Sequence, residues 1–169
     1  MLVVRREIDS DRAAIRYLLE QAFGSQVEAT LVEALRHRRV LILSLVATDR
    51  DRLVGHIAFS PVTIESKGSS LNAVGLAPLA VLPEYQQQGI GSQLVEIGLE
   101  ECQKADFDAV FVLGHPSFYS RFGFIPASTY GIRFSADVPP EAFMVKEFTC
   151  SILSDRAGIV LFQHEFQSV

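Results

Sequence analysis

Cysteine and long apolar runs are scarce in this sequence. Cys102 and Cys150 fit no metal-ligand spacing, and an isolated pair of cysteines is typical of a reducing compartment. No run approaches the roughly 20 apolar residues that span a bilayer, and residues 1–7 lack a secretory pattern. These absences argue against a disulfide scaffold, a metal site and a membrane protein, so we expect a cytoplasmic location.

Positive charge is also scarce. The chain has 15 lysine and arginine residues against 20 aspartates and glutamates, a formal net charge of −5. This balance argues against a broad nucleic-acid surface, so no DNA partner is expected, although local amides could still hold a small anion. With 169 residues, 49% of them hydrophobic, and no internal repeat or linker, the chain is predicted to form one domain over 1–169.

The most informative stretch lies at residues 75–94. Its first half is apolar and short, which predicts a strand buried on both faces, ended by Pro83. Gly89 and Gly91 follow in a loop, and from Ile90 the apolar positions recur at helical spacing. Unpaired N–H groups and the positive end of the helix dipole would meet at this turn, which favours binding of a pyrophosphate. An ordinary strand-to-helix turn would use the same glycines for geometry alone.

Periodicity predicts the other elements. Two amphipathic helices should follow a strand at 2–8: one begins after Asp9 or Ser10, and one begins at a capping box formed by Ser25 and Glu28. Pro61 should place its strand at an edge or a bulge. Further elements are expected as strands at 41–48, 53–59, 62–64, 109–113, 143–148 and 158–166, a turn at 66–70, and helices at 90–105 and 116–121.

The strand–helix–strand order around residues 90–105 makes the strand at 109–113 parallel to the one before the glycine loop. The strands that precede the loop are short and joined by polar turns, which favours antiparallel pairing. We therefore predict an α/β (α+β) fold with a mixed, mostly antiparallel sheet, a central parallel pair, and helices on both faces.

Two motifs in this frame resemble those of the GNAT superfamily of acetyl-CoA-dependent N-acetyltransferases. One is the loop Gln86-x-x-Gly89-x-Gly91, and the other is Tyr119 four residues before Gly123-Phe124. The run 113–124 is similar to the YhbS-like branch in particular. The resemblance implies a parallel pair that splays apart, acetyl-CoA as cosubstrate in the gap, and transfer of the acetyl group to a primary amine by direct attack in a ternary complex.

The resemblance also implies which residues bind the cofactor. The pantetheine arm would pair with the strand through Val81, a form of β-augmentation, and the pyrophosphate would rest on the loop amides. The implied set is Leu79, Ala80, Val81, Gln86, Gln87, Gln88, Gly89, Ile90, Gly91, Ser92, Tyr119 and Arg121. Many relatives have Arg or Lys in this loop, where this chain has three glutamines, so binding should depend more on Arg121.

Acyl transfer from a thioester needs a neutral amine, an oxyanion donor and a proton for the thiolate. By the resemblance, the Val81 N–H is the oxyanion donor and Tyr119 is the acid, because a phenol with a pKa of about 10 stays protonated at neutral pH. Tyr119 could equally be one more packed aromatic. His115 is a candidate base, or a histidine that only ends a strand. The sequence does not decide which residue is the general base: His115 is one candidate, and the weaker candidates are Glu28, Glu33, Glu84 and His56.

Two other functions fit parts of the pattern. A non-catalytic acyl-CoA-binding or sensing module would account for the missing base and loop cations. A Rossmann-type dinucleotide binder would share Gly89 and Gly91, but Leu94 stands where its third glycine belongs. The acceptor is expected to be a small-molecule or peptide amine, and the protein a monomer or homodimer.

Overall fold

The structure, a computed structural model, describes residues 1–65 and 71–168, so the turn expected at 66–70 lies outside the described residues. The helices are α1 Arg12–Phe23, α2 Val27–His37, α3 Ile90–Lys104 and α4 Pro116–Tyr119. The strands are β1 Leu2–Arg6, β2 Leu43–Asp49, β3 Arg52–Glu65, β4 Ala73–Val81, β5 Ala109–Leu113, β6 Ile125–Pro126, β7 Ile132–Phe134, β8 Phe143–Glu147 and β9 Gly158–Leu161. No helix in the described ranges is long and apolar enough to cross a membrane.

The strands form one mixed sheet in the order β1-β2-β3-β4-β5-β8-β6, with β9 pairing both β3 and β7. The β4–β5 and β7–β9 pairs are parallel, and the other described pairs are antiparallel. The predicted mixed, mostly antiparallel sheet with its central parallel pair is thus confirmed. The Rossmann alternative is wrong, because it requires a doubly wound parallel sheet.

The parallel pair separates after a short contact. β4 pairs with β5 only from Ala73 to Gly75, although β4 continues to Val81. Beyond this point, the β3–β4 register shifts between Ile57 and Phe59. Pro78 lies in the same part of β4 and offers no N–H to a neighbouring strand. A gap therefore opens beside the second half of β4, as the predicted splay requires.

Helices cover both faces of the sheet. On one face α3 packs directly on β3, since a Cβ on Gly98 would lie 2.7 Å from the Phe59 ring and a Cβ on Gly55 would lie 2.9 Å from Leu94. Successive strand residues point to opposite faces, so β3 also has a set of residues on the face away from α3. The helix α1 contacts β3 and β4 as well. The alternate residues of β3, directed away from α3, are also fully buried: Val54, His56, Ala58 and Ser60.

The predicted capping box is wrong. Ser25 lies two residues before the start of α2, and its Oγ accepts a hydrogen bond from the N–H of Val27 at 3.3 Å. The residue at the helix boundary is Gln26, whose side chain makes no cap. Glu28 does not reach back to Ser25, and its Oε2 is buried without a partner among the described residues.

Two other local predictions turn out differently. Pro61 does not lie at the register shift of β3, but it does lie at a local edge: it stands opposite Val74 of β4, while on the other side pairing with β2 ends at Phe59 and pairing with β9 begins at Thr63. Its carbonyl accepts a hydrogen bond from Gln163 at 2.8 Å on that side. The last strand ends at Leu161 rather than 166, because residues His164–Ser168 form a 3-10 helix. Arg38 binds this helix through Glu165, an attachment that the local sequence pattern does not reveal.

His56 makes the fold sensitive to acid. It is fully buried in β3, with Nε2 at 2.8 Å from the Ser44 Oγ. Burial lowers its pKa to about 4; to a smaller extent Glu7 raises this pKa and Arg36 lowers it. Because the unfolded chain binds this proton near pH 6.5, we expect the free energy of unfolding to fall between pH 6.5 and 4, by about 3 kcal/mol at most. Urea unfolding at pH 7 and pH 4.5 measures this loss.

His56→Leu should show a smaller loss over the same interval, since it removes the titrating group. Glu165, whose pKa Arg38 lowers to about 2, does not obscure the comparison, because its contribution is lost chiefly below pH 4.5 and is the same in both proteins. An equal loss in the wild type and the variant would show that His56 is not the cause.

Candidate active site

The end of β4 directs backbone groups into the gap. The Leu82 N–H donates to the Val54 carbonyl at 2.9 Å, which closes the ladder with β3 on that side. Since backbone groups alternate along an antiparallel strand, those of Val81 point away from β3. The Val81 carbonyl accepts a hydrogen bond from the Gln86 side chain at 3.1 Å. The Val81 N–H therefore faces the open side of β4, where β5 no longer pairs.

The glycine loop presents a row of unpaired donors. Gln87 and Gly89 both have left-handed backbone, with φ of 62° and 85°, which turns the chain into α3. The first α3 residue whose N–H reaches back along the helix is Gln93, which donates to the Gly89 carbonyl at 3.1 Å. From Gln87 to Ser92, no N–H has a backbone partner within the described part of the chain. This is the arrangement that an anion at a helix N-terminus requires.

These groups line a cavity of about 430 Å³. A Cβ placed on Gly91 would lie 3.9 Å from both Phe118 and Val81, so the bare glycine keeps the space between these walls open. Tyr85 and Phe118 were not predicted, although each directly precedes a predicted residue. The lining residues are Val81, Tyr85, Gln86, Gln87, Gly89, Ile90, Gly91, Ser92, Phe118 and Arg121.

Several predicted residues lie outside this lining. Ala80 pairs with His56 and is only 4% exposed, and its backbone faces β3. Leu79 shares the backbone direction of Val81 but does not line the cavity. The Gln88 side chain turns back to the Glu84 carbonyl at 3.3 Å. The cavity therefore brings together the glycine loop, Val81 and Arg121, but not the whole predicted set.

Arg121 supplies the positive charge that the loop lacks. Its Nη2 lies 3.2 Å from the Ser92 Oγ at the start of α3. Its guanidinium stacks at 4.9 Å from the Phe118 ring centroid and 5.5 Å from that of Phe122. Stacking on two rings holds the cation beside the unpaired amides, where it can pair with a phosphate.

Arg121→Gln is expected to weaken CoA binding about fivefold, because an exposed cation contributes on the order of 1 kcal/mol to such a contact. The deficit should shrink at high salt as the charge is screened. Calorimetry with CoA at two salt concentrations measures both effects. Arg133→Gln, which removes an exposed cation on β7 instead, is the matched control; equal weakening in both variants would mean that only net charge matters.

Tyr119 is buried next to the cavity. Its ring packs edge-on against Phe118 and Phe124, with centroid distances of 4.9 and 5.6 Å. A Cβ on Gly114 would overlap the Tyr119 ring, so the absence of a side chain at this position leaves room for the ring. Burial raises the pKa of Tyr119 to about 12. Tyr119 is thus both a member of the aromatic cluster and a phenol that stays protonated at any physiological pH.

The base candidates differ in their surroundings. The exposed His115 precedes α4, and its carbonyl accepts hydrogen bonds from the Phe118 and Tyr119 N–H groups. Glu33 pairs with Arg16 at 2.8 Å and Glu84 with Arg52 at 2.6 Å. His56 is buried in the sheet, and Glu28 has one buried oxygen without a described partner. Among the described residues, no group of three or more His, Cys, Asp or Glu could hold a metal ion.

The sheet, the gap and the glycine loop together define an acetyltransferase of the GNAT type. The model of the acetyltransferase (GNAT) domain family matches residues 4–127, and the chain belongs to this family. It is 39% identical over 166 residues to the N-acetyltransferase YhbS of Escherichia coli (strain K12), a match that covers 98% of each protein.

Solved structures agree with this assignment. The crystal structure of Escherichia coli YhbS in complex with CoA has a TM-score of 0.92, covering 98% of this chain and 92% of that one. A GNAT family acetyltransferase from Brucella melitensis, solved in complex with acetyl-CoA, is 34% identical with a TM-score of 0.81 and 98% coverage of both chains. The predictions of a GNAT fold, YhbS-like resemblance and an N-acetyltransferase with acetyl-CoA as cosubstrate are confirmed. None of these matches supports the non-catalytic alternative.

Proposed function

We propose that the protein transfers the acetyl group of acetyl-CoA directly to a primary amine within a ternary complex. The observation that carries the mechanism is the unpaired half of β4, where the Val81 N–H faces the gap beside the amide-lined cavity. A thioester arm can pair with this free strand edge as an added strand would.

In this proposal the cofactor lies along the cavity. Its pyrophosphate accepts hydrogen bonds from the N–H groups of Gln87 to Ser92 and a charge-assisted contact from Arg121. The pantetheine arm follows the backbone of Leu79 and Val81 towards the apex of the gap. The Escherichia coli structure was solved with CoA and the Brucella melitensis structure with acetyl-CoA, which supports the choice of cofactor; the placement of its parts rests on the geometry of the cavity.

The reaction forms one bond and breaks another. The amine nitrogen attacks the thioester carbonyl carbon, the Val81 N–H stabilises the oxyanion, and the C–S bond breaks to release the CoA thiolate. The nitrogen loses one proton and the sulfur ends as a thiol, so the products are the N-acetyl amide and CoA. No covalent enzyme intermediate is needed.

Tyr119 and His115 complete the proposal. With its pKa near 12, Tyr119 remains protonated and donates a hydrogen bond to the sulfur as negative charge develops there. His115 accepts a proton from the substrate ammonium, directly or through water, and so gives the neutral amine that attacks. A monomeric or homodimeric enzyme in the cytoplasm is part of the same proposal; the two cysteines, both free, fit that compartment.

Mass spectrometry of amine mixtures incubated with the enzyme and acetyl-CoA tests the function. An acetylated amine should appear in equal amount to released CoA thiol, and no acetyl group should remain on the protein. His115→Gln should lower the rate most at neutral pH, where the amine is protonated. Acetyl-CoA binding by calorimetry without any acetylated product would instead indicate a non-catalytic module.

A further inference from the structure

A second cavity, of about 500 Å³, lies at the same gap in the sheet. Two of its walls are Ala77 of β4, beyond the last β4–β5 pair, and Leu113, the last residue of β5. These residues belong to the two strands that separate. The cavity thus lies between the strands that the cofactor gap divides, while none of its lining residues is shared with the amide-lined cavity.

The floor of the second cavity reaches the apex of the gap. Gly75 is the last β4 residue paired with β5, and a Cβ placed on it would lie 2.6 Å from the Phe162 ring. One edge of the ring therefore lies against the backbone where the strands begin to part. A group held on Phe162 would lie at the apex end of the gap, and a thioester arm entering along Val81 would approach it from the opposite end.

The lining of this cavity is aromatic and uncharged. Phe162 makes edge-on contacts with Phe134 at 5.5 Å and with Phe166 at 5.2 Å. Leu161 and the 43% exposed Leu113 add aliphatic surface. The other lining residues are Ala77, Ser135, Ala136, Gln163 and Gln167, so the described lining contains no acidic or basic side chain.

This wall is fixed rather than loosely packed. β9 pairs with β3 and with β7, and Gln163 donates to the Pro61 carbonyl at 2.8 Å. Arg38, which directly follows α2, donates to both Gln163 and Glu165. The aromatic surface is thus held in place before any ligand arrives, which lowers the entropic cost of binding.

We propose that this cavity is the acceptor site and that the acceptor is a hydrophobic primary amine, with an aromatic or alkyl group seated on Phe134, Phe162 and Leu113. The inference rests on the proposed function. Without an acidic side chain the lining cannot pair with the second ammonium of a polyamine, and without a basic one it cannot pair with the carboxylate of an amino acid. An apolar group of drug-like size fits the volume.

The test compares apolar primary amines with amines that carry a second charged group, each with acetyl-CoA. We expect kcat/KM for 2-phenylethylamine and hexylamine to exceed that for putrescine and glycine at least about tenfold. Leu113→Asn should raise KM for 2-phenylethylamine about fivefold or more with an unchanged Kd for CoA, since the side chain is half exposed and the β5–β8 pairing uses backbone groups. Val3→Asn, an equally exposed position on β1 at the sheet edge, is the matched control.

Each outcome separates the two proposals. Acetylation of putrescine or glycine in preference to the apolar amines would overturn the acceptor class and leave the acetyltransferase function intact. If no amine is acetylated, the function fails, and calorimetry of 2-phenylethylamine on the CoA-loaded protein decides the site. Binding that Leu113→Asn weakens and Val3→Asn does not would support the cavity assignment, and absence of binding would overturn it.

Discussion

Replacing Gly91 with leucine is expected to lower acetyl-CoA affinity by on the order of a hundredfold or more while leaving the fold intact. Gly91 lies in the first turn of α3, and the atoms nearest to a Cβ at this position are 3.9 Å away, on Phe118 and Val81. A leucine side chain must therefore occupy the space between these walls, where the cofactor would pass, and burying it there displaces several favourable contacts. No N–H group is lost, so the effect is steric.

Gly91→Ala is the matched control. Its single methyl group makes only ordinary van der Waals contacts, and alanine favours a helix over glycine by about 1 kcal/mol, so binding should be nearly retained and thermal stability should not fall. Calorimetry with acetyl-CoA and a thermal unfolding scan measure both properties for each variant. Near wild-type affinity in Gly91→Leu would mean that the cofactor does not pass between Val81 and Phe118.

The centre of the molecule could be predicted from its sequence because its signals are local. The strand at β4, the turn at Gly89 and the periodic face of α3 are contiguous, and the crossover to β5 has a fixed handedness. Pairing of β4 with β5 was therefore predictable. The place where that pairing stops was not, because the bulge opposite Ile57 and Phe59 depends on β3, a separate part of the chain.

The part of the second cavity that β7 forms through Phe134 carries almost no local signal. β7 has three residues, too few for any periodicity to show. β7 is held by β9, which also pairs with β3, so its order comes from contacts remote in sequence. The same applies to Arg121 and Ser92, whose contact joins two motifs 29 positions apart. The local sequence pattern therefore predicts the cofactor loop but not the aromatic surface of the second cavity.

The catalytic role of Tyr119 was predicted from the family resemblance, because the residues alone did not decide between catalysis and packing. Tyr119 could have been a packed aromatic only, and the structure does place it against Phe118 and Phe124. This packing also favours the predicted chemistry, because burial raises the pKa of Tyr119 and keeps the proton on its hydroxyl. Packing and catalysis are therefore compatible at this residue, which makes the hydroxyl itself the group to remove.

Tyr119→Phe is expected to lower kcat between about tenfold and a hundredfold with less than about a twofold change in the Kd for acetyl-CoA. Phenylalanine keeps the edge-on packing with Phe118 and Phe124 and removes only the donor that would face the thiolate. Initial rates of CoA thiol release at saturating substrate give kcat, and calorimetry gives the Kd for acetyl-CoA. Tyr17→Phe, which removes a hydroxyl from a half-exposed side chain on α1, is the control.

The pH profile tests whether Tyr119 keeps its proton over the working range, and the level of kcat tests whether its hydroxyl takes part. Because the pKa of Tyr119 is raised to about 12, the wild-type rate should keep rising through pH 10 as the acceptor amine loses its proton, without the decline that a phenol of ordinary pKa would cause. Tyr119→Phe should have the same profile at a lower level. If kcat were unchanged in Tyr119→Phe, the hydroxyl would have no part in thiolate release, and the proton on sulfur would have to come from the attacking amine or from water.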